Sequence, residues 1–170
     1  MRFTVLGSGS TGNAVLISSE STNVLVDAGL SAKEILRRLH IAGVAPEDLD
    51  AVLITHEHSD HAGGLRVLLR SVKCPVYISK ATEDAFYSTR RGVANGDSEG
   101  LKRRDALRER TVCIESDADF RIGDIDFEPF CVPHDAVDNF GFVARRDGLR
   151  VATLMDFGHI TDLIREKLKR

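Results

Sequence analysis

The stretch "VLITHEHSDHAGG", residues 52–64, decides how this chain is read. It places His56, His58, Asp60 and His61 within six positions, directly after an apolar run. In extended backbone, residues two apart point to the same side. His56 and His58, leaving a strand predicted at 51–54, can therefore converge on one ion. Ser59 is a residue type that caps helices, so a helix is expected to follow it. Asp60 and His61 then fall in the first turn, where the chain changes direction, and can serve a neighbouring ion. Gly63 and Gly64 leave the start of that helix uncrowded. Imidazole and carboxylate donors suit zinc, with manganese and iron also compatible. A lone histidine here would read as a solvated polar group. H-x-H-x-D-H at a strand end combines metal-ligand types with a geometry that converges them.

The rest of the chain has the makings of a folded protein around that stretch. Its 170 residues can bury a sizeable core as one domain, residues 1–170. With 42% hydrophobic and 29% charged residues, the composition is that of an ordinary globular protein. A net charge of −3 argues against a surface coated for non-specific DNA binding, while leaving room for a local basic groove. No apolar run approaches the ~20 residues of a membrane span. The opening "MRFTVLGSGSTGN" lacks the apolar core and cleavage site of a signal peptide. Cys74, Cys113 and Cys131 are odd in number, widely spaced and outside any CxxC pair, so neither a disulfide framework nor a zinc ribbon is indicated. The expectation is three buried strand thiols in a reducing cytoplasm.

Hydrophobic periodicity places the other elements. Residues 2–6, 14–18 and 23–26 predict strands, the last two as a hairpin. Ser31 with Glu34 makes a capping-box pattern, and Ile35, Leu36 and Leu39 supply the apolar face of a helix ending near Gly43. A buried helix is predicted from Leu65 to about Val72, a strand at 75–78 and a helix at 81–89. Residues 90–110 have the least regular pattern. Strands are predicted at 111–115, 119–122 and 125–132, with a turn at Gly123 and Asp124. A hairpin over 140–144 and 149–154 turns at Asp147 and Gly148. Residues 160–169 read as a closing amphipathic helix. Runs of strands with helices between them suggest a layered α/β protein.

Residues 7–12, "GSGSTG", match the G-x-G-x-x-G pattern of dinucleotide binding. That reading needs a helix next, with its N-terminus toward the pyrophosphate. The next residues are instead "NAVLISS", a strand pattern, so the reading is rejected. The loop is either a plain glycine-rich turn or the lining of an active-site mouth, where small residues allow a substrate close.

These residues carry a resemblance. "THEHSDHAGG" is similar to the signature of the metallo-β-lactamase superfamily, an αββα sandwich of two sheets between helices. "LGSGSTGNAVLI" followed by "NVLVDAGLS" resembles its YycJ/WalJ-like branch, whose members are linked to nuclease-type phosphodiester hydrolysis. The likeness runs from the first strand to about Thr161. It implies a third histidine for the first metal, met by His134 in "FCVPHDAVDNFGF". It implies a bridging aspartate, met by Asp156 in "VATLMDFGH", and an aspartate supporting the ligands from behind, met by Asp27 in "VDAG". Plain turn or strand-end capping is the alternative for Asp27 and Asp156. The implied site holds one ion on His56, His58 and His134 and a second on Asp60 and His61, with Asp156 shared. Asp60 and His61 are also the residues assigned to catalysis.

The superfamily normally adds one more histidine well downstream. Here the sequence stops at Arg170, and His159 follows Asp156 too closely to match. The expectation is a metallo-β-lactamase-like sandwich with its C-terminal part missing and its second ion weakly held. His40 matches nothing and is expected on a helix surface.

The implied activity is metal-dependent hydrolysis of a phosphodiester, in nucleic acid or a small molecule, with two divalent ions (zinc or manganese, iron admissible). No membrane partner is expected, and a homo-oligomer is allowed for. The same ions can also cleave carbon esters, thioesters or lactams, or the chain can bind metal without catalysis. The small-residue loop, with Ser8, Ser10 and Asn13 as substrate contacts, favours phosphodiesters. So do Arg90, Arg91, Arg103, Arg104, Arg108 and Arg110, whose plain alternative is a solvated face.

Overall fold

A computed structural model describes residues 1–88 and 108–169. Arg90, Arg91, Arg103 and Arg104 lie outside the described residues. The antiparallel strands β1 (Arg2–Gly7), β2 (Ala14–Ser18) and β3 (Asn23–Val26) begin one sheet. Strands β4 (Ala51–Leu53), β5 (Val76–Ser79) and β6 (Thr111–Ile114) extend it in parallel, in the order β1-β2-β3-β4-β5-β6. Helix α1 (Ala32–Ile41) crosses between β3 and β4. Two short helices, α2 (Ser59–Ala62) and α3 (Leu65–Leu68), cross between β4 and β5, and α4 (Lys80–Ser88) follows β5. The second sheet is an antiparallel set, β7 (Phe120–Ile122), β8 (Ile125–Cys131), β9 (Phe140–Arg146) and β10 (Leu149–Thr153), in the order β10-β9-β8-β7. Helix α5 (Asp162–Leu168) comes last among the described residues.

Strand periodicity sorts the apolar residues into layers. Val15, Ile17, Val24, Val26 and Leu53 face the second sheet and pack with Ile125, Phe127, Phe140 and Phe142. Their alternates Leu16, Leu25, Val52 and Ile54 face outward, against Ile35 and Leu39 of α1 and Leu65 and Leu68 of α3. A strand covered on both faces reads as a continuous apolar run, and "AVLI" before the histidines is one. On the far side of the second sheet, Phe130, Val132 and Val143 receive Ile164 of α5. The layers run helix, sheet, sheet, helix: the expected αββα sandwich. Asp147 and Gly148 have φ of 51° and 76°, the left-handed pair of a tight hairpin turn between β9 and β10.

Several local expectations are corrected. The predicted helix from Leu65 to Val72 is a single turn, Leu65–Leu68. Ser59 is the first helical residue, and the cap position is His58, whose φ −58°, ψ 148° continue the extended run that carries His56. Ser31 caps α1 through its side chain, but the Glu34 carboxylate turns to Arg37 and Arg38 instead of closing a capping box. Only Cys74 is buried, and it lies in the loop before β5. Cys113 sits on the edge strand β6 and Cys131 at the end of β8, where little covers them, and both are exposed. His40 is exposed in the last turn of α1. Among the described residues, no helix is long and apolar enough to cross a membrane.

Candidate metal centre

Parallel pairing brings β3 and β4 to the same edge of the sandwich, Val26 opposite Leu53. Asp27 and Thr55 therefore leave the sheet side by side. Asp27 adopts φ 63°, a left-handed conformation that aspartate tolerates better than most residues. The turn sends its carboxylate into the interior, where it is fully buried. There it accepts the Thr55 N–H at 2.9 Å, the Thr55 hydroxyl at 2.9 Å and His61 Nδ1 at 2.7 Å.

These bonds set the tautomers of two histidines. With its proton given to Asp27, the Thr55 oxygen is free to accept from His56 Nδ1, 2.9 Å away. His56 and His61 thus each spend Nδ1–H toward Asp27, directly or through Thr55. Each is left with a bare Nε2, the arrangement a ligating imidazole needs. Burial, reinforced by the like charges of His61, His58 and His134, pushes the His56 pKa down to about 3, so the ring stays neutral. Burial raises the Asp27 pKa, and the bonds from His61 and Thr55 oppose that rise without cancelling it. Burial works against the charged form of His61, yet Asp27, Asp156 and Asp60 together outweigh it and raise its pKa. The three contacts converging on Asp27 hold it against the Nδ1 side of the His61 ring.

The distant parts of the chain close over these rings. The loop after β8 brings in His134, whose Nδ1 lies 2.9 Å from Asp135 and whose Nε2 lies 3.2 Å from His58 Nδ1. The loop after β10 brings in Asp156, at φ 48°, its carbonyl held by the Asn139 amide at 2.9 Å. One Asp156 carboxylate oxygen lies 3.2 Å from His61 Nε2, 3.8 Å from His134 Nε2 and 3.9 Å from His56 Nε2. It therefore stands between two donor groups, His56–His58–His134 and His56–His61–Asp156, each with its ligand atoms within 4.8 Å of one another. Asp60 Oδ2 is 3.7 Å from His61 Nε2, at the edge of the second group. His56 Nε2, wholly buried at the centre, has no hydrogen-bond partner among the described residues. A buried polar atom without a partner is costly, and a metal ion is the partner this donor set fits.

The glycine-rich loop meets the same centre. Asn13 is buried; its Oδ1 accepts the Gly9 N–H and its Nδ2 lies 2.9 Å from His61 Nε2. Ser8, Ser10 and Asn13 line a cleft of about 390 Å³ together with Asp60 and Asp156. Strand β2 comes directly after the loop, without the helix that dinucleotide binding requires.

Not every candidate arrives. His159 is exposed and belongs to neither donor group among the described residues. Arg110 faces inward and donates to the carbonyls of Leu69, Val72 and Cys74, so it ties down the end of α3. Arg108 lies near Glu83 and Asp84 and over the Tyr87 ring. Neither arginine lines the cleft. The structure adds three contributors to the site, Thr55, Glu57 and Asn139. Thr55 had a signal, as a polar residue closing an apolar buried run. Glu57, whose carboxylate accepts the Val137 N–H at 3.1 Å, ties the His58 segment to the His134 loop. Asn139 had no signal, because its partner lies in another hairpin.

Thr55→Val keeps the shape and removes the hydroxyl that links Asp27 to His56. Divalent-metal affinity is expected to fall about 10–100-fold, read by competition with a chromophoric chelator, with the fold retained by circular dichroism. Unchanged affinity would show that the Thr55 relay does not orient His56.

Residues 7–151 match the family described as the metallo-beta-lactamase superfamily. The chain is 36% identical over 161 residues to exodeoxyribonuclease WalJ of Streptococcus pneumoniae, covering 95% of this chain and 56% of that protein. It is 32% identical over 169 residues to exodeoxyribonuclease YycJ of Bacillus anthracis, covering 99% of this chain and 59% of that protein. The chain thus spans little more than half the length of these curated relatives. Among solved structures, Zn(2+)-bound PqqB from Methylobacterium extorquens superposes with a TM-score of 0.77 at 15% identity, over 99% of this chain and 69% of that one. At such identity the likeness is one of fold alone.

Proposed function

The chain belongs to the metallo-beta-lactamase superfamily, and on that premise we propose that it is a metal-dependent phosphodiesterase acting on nucleic acid. Metal dependence is carried by the buried, unpartnered His56 Nε2 at the meeting point of both donor groups. The choice of phosphodiester over carbon ester, thioester or lactam is supported by the likeness to two exodeoxyribonucleases.

In this reading His56, His58 and His134 would hold one ion, Asp60 and His61 a second, and Asp156 both. Zinc and manganese suit the donors, with iron admissible. Divalent ions held there supply a nucleophile at neutral pH and offset the charge that builds on a phosphoryl group. The chain's own residues do the positioning. Asp27 and Thr55 hold the rings of His56 and His61 with Nε2 toward the cleft, and Asn139 anchors the turn that carries Asp156. The hydroxyls of Ser8 and Ser10 stand at the mouth, where they can donate to phosphate or sugar oxygens. The three cysteines are unpaired, which suits the expected reducing cytoplasm.

The second ion would be the weaker. Its group contributes one imidazole beyond His56, and the Asn13 amide competes for the lone pair of that same His61. After chelator stripping, calorimetric titration with Zn²⁺ or Mn²⁺ is expected to show one tight and one weak site. Hydrolysis of an oligodeoxynucleotide should return on loading. Two equally tight sites would refute the competition argument. Hydrolysis of thioesters or lactams, with none of any phosphodiester, would overturn the substrate class.

A further inference from the structure

We propose that Phe157 is a stacking platform for the terminal base of the strand being cleaved. The inference rests on the nucleic-acid reading above and adds to it the residue that grips the substrate. Three observations carry it.

The cleft is two-sided in its chemistry. Ser8, Ser10 and Asn13, from the β1–β2 turn, make one wall polar. Leu154, Met155 and Phe157, from the segment after β10, make the other apolar. Asp60 and Asp156 mark the place between them where the reacting phosphate would sit. A nucleotide has the same division: an apolar base face, a polar sugar and a charged phosphate. At about 390 Å³ the cleft is at the small end of ligand pockets, the size for a single nucleotide rather than a duplex.

Phe157 is also costly where it stands. It is 44% exposed, among the large apolar side chains left open to water, and it directly follows Asp156. The turn that sets Asp156 at φ 48° also presents the next side chain at the cleft. An exposed aromatic ring beside a phosphodiester site is the usual device for holding a base, because every base has a π-face.

No lysine or arginine lines the cleft among the described residues. Charge attraction to the backbone, which dominates many nucleic-acid sites, therefore has no side chain to act through there among the described residues. Ser8 and Ser10 can reach phosphate and sugar, and apolar stacking on Phe157 supplies the grip on the base.

The test uses metal-loaded protein and two readouts. The first is binding of a short oligodeoxynucleotide carrying terminal 2-aminopurine at one end or the other, joined by a hydrolysis-resistant phosphorothioate linkage. Stacking quenches its fluorescence. The wild type should quench one of the two probes, and Phe157→Ala should weaken that binding about tenfold or more, with Phe157→Trp restoring it. The second readout is the ratio of kcat/KM for an ordinary strand to that for a strand with a terminal abasic nucleotide. The wild type should favour the base about tenfold, and the preference should collapse toward one in Phe157→Ala. Equal quenching, or equal preference, in wild type and Phe157→Ala overturns the stacking role while leaving the nuclease reading intact. Failure of the loaded wild type to cleave any nucleic acid overturns both.

Discussion

His58→Ala is expected to lower metal-dependent phosphodiester hydrolysis by more than about 100-fold. Removing a residue that merely orients a ligand costs about 10–100-fold in metal affinity or activity, so removing a ligand should cost more. His58 lies 3.2 Å from His134 and in edge contact with the rings of both His56 and His134. Without it, the first donor group falls to two imidazoles, too few for a closed site. The ring is only partly buried and carries no core packing, so the change in stability should stay within about 0.5 kcal/mol. Metal content by elemental analysis, activity on an oligodeoxynucleotide and thermal melting separate the two effects. Full activity with reduced metal content, or full metal content with full activity, would sink the assignment of His58.

Gly29→Ala should be among the most destabilising single methyl additions in the protein. The segment after Asp27 runs between the Asn13 loop and the Asp60–His61 turn, stitched by backbone bonds. Ala28 N–H donates to His61 O at 2.7 Å, Gly29 N–H to Asn13 O at 2.9 Å, and Gly64 N–H to Ala28 O at 2.8 Å. A Cβ on Gly29 would stand 1.6 Å from the Asp60 carbonyl oxygen and 2.7 Å from the Asn13 nitrogen. Both are backbone atoms, so no rotamer change relieves the overlap. Overpacking of this kind costs about 3 kcal/mol or more. For a chain of this size that lowers Tm by about 6–12 °C. The element pushed aside carries Asp60 and His61, so the weaker metal site should be lost before the fold is. A Gly29→Ala protein with wild-type melting and two intact metal sites would show that this threading is wrong.

The architecture was largely legible in the amino-acid order, and the reason is local. Strands β2 and β3 coincide with the predicted 14–18 and 23–26 because alternation and β-branching act within each segment. The continuous apolar run before His56 announced a strand buried on both faces. The errors fall where local pattern competes with something distant. Ser59 lost the cap position because His58 must stay extended. The helix begun at Leu65 ends after one turn, beside the carbonyls of Leu69 and Val72 that Arg110 takes from far along the chain.

The candidate site divides in the same way. Residue type and spacing alone marked His56, His58, Asp60 and His61 as donors, since alternation along an extended segment dictates which side chains can share an ion. Resemblance pointed to Asp27, His134 and Asp156 without saying how they meet. Only the tertiary structure decided that Asp27 commands both His56 and His61, the first through Thr55 and the second directly. Only it set one Asp156 oxygen between the two donor groups, and turned Arg110 inward, onto the carbonyls of Leu69, Val72 and Cys74. His61 and Asp156 lie 95 residues apart in the chain and 3.2 Å apart in space. A proton's position on a ring depends on which group faces it, and that facing is a product of how the two sheets pack, which local periodicity does not encode.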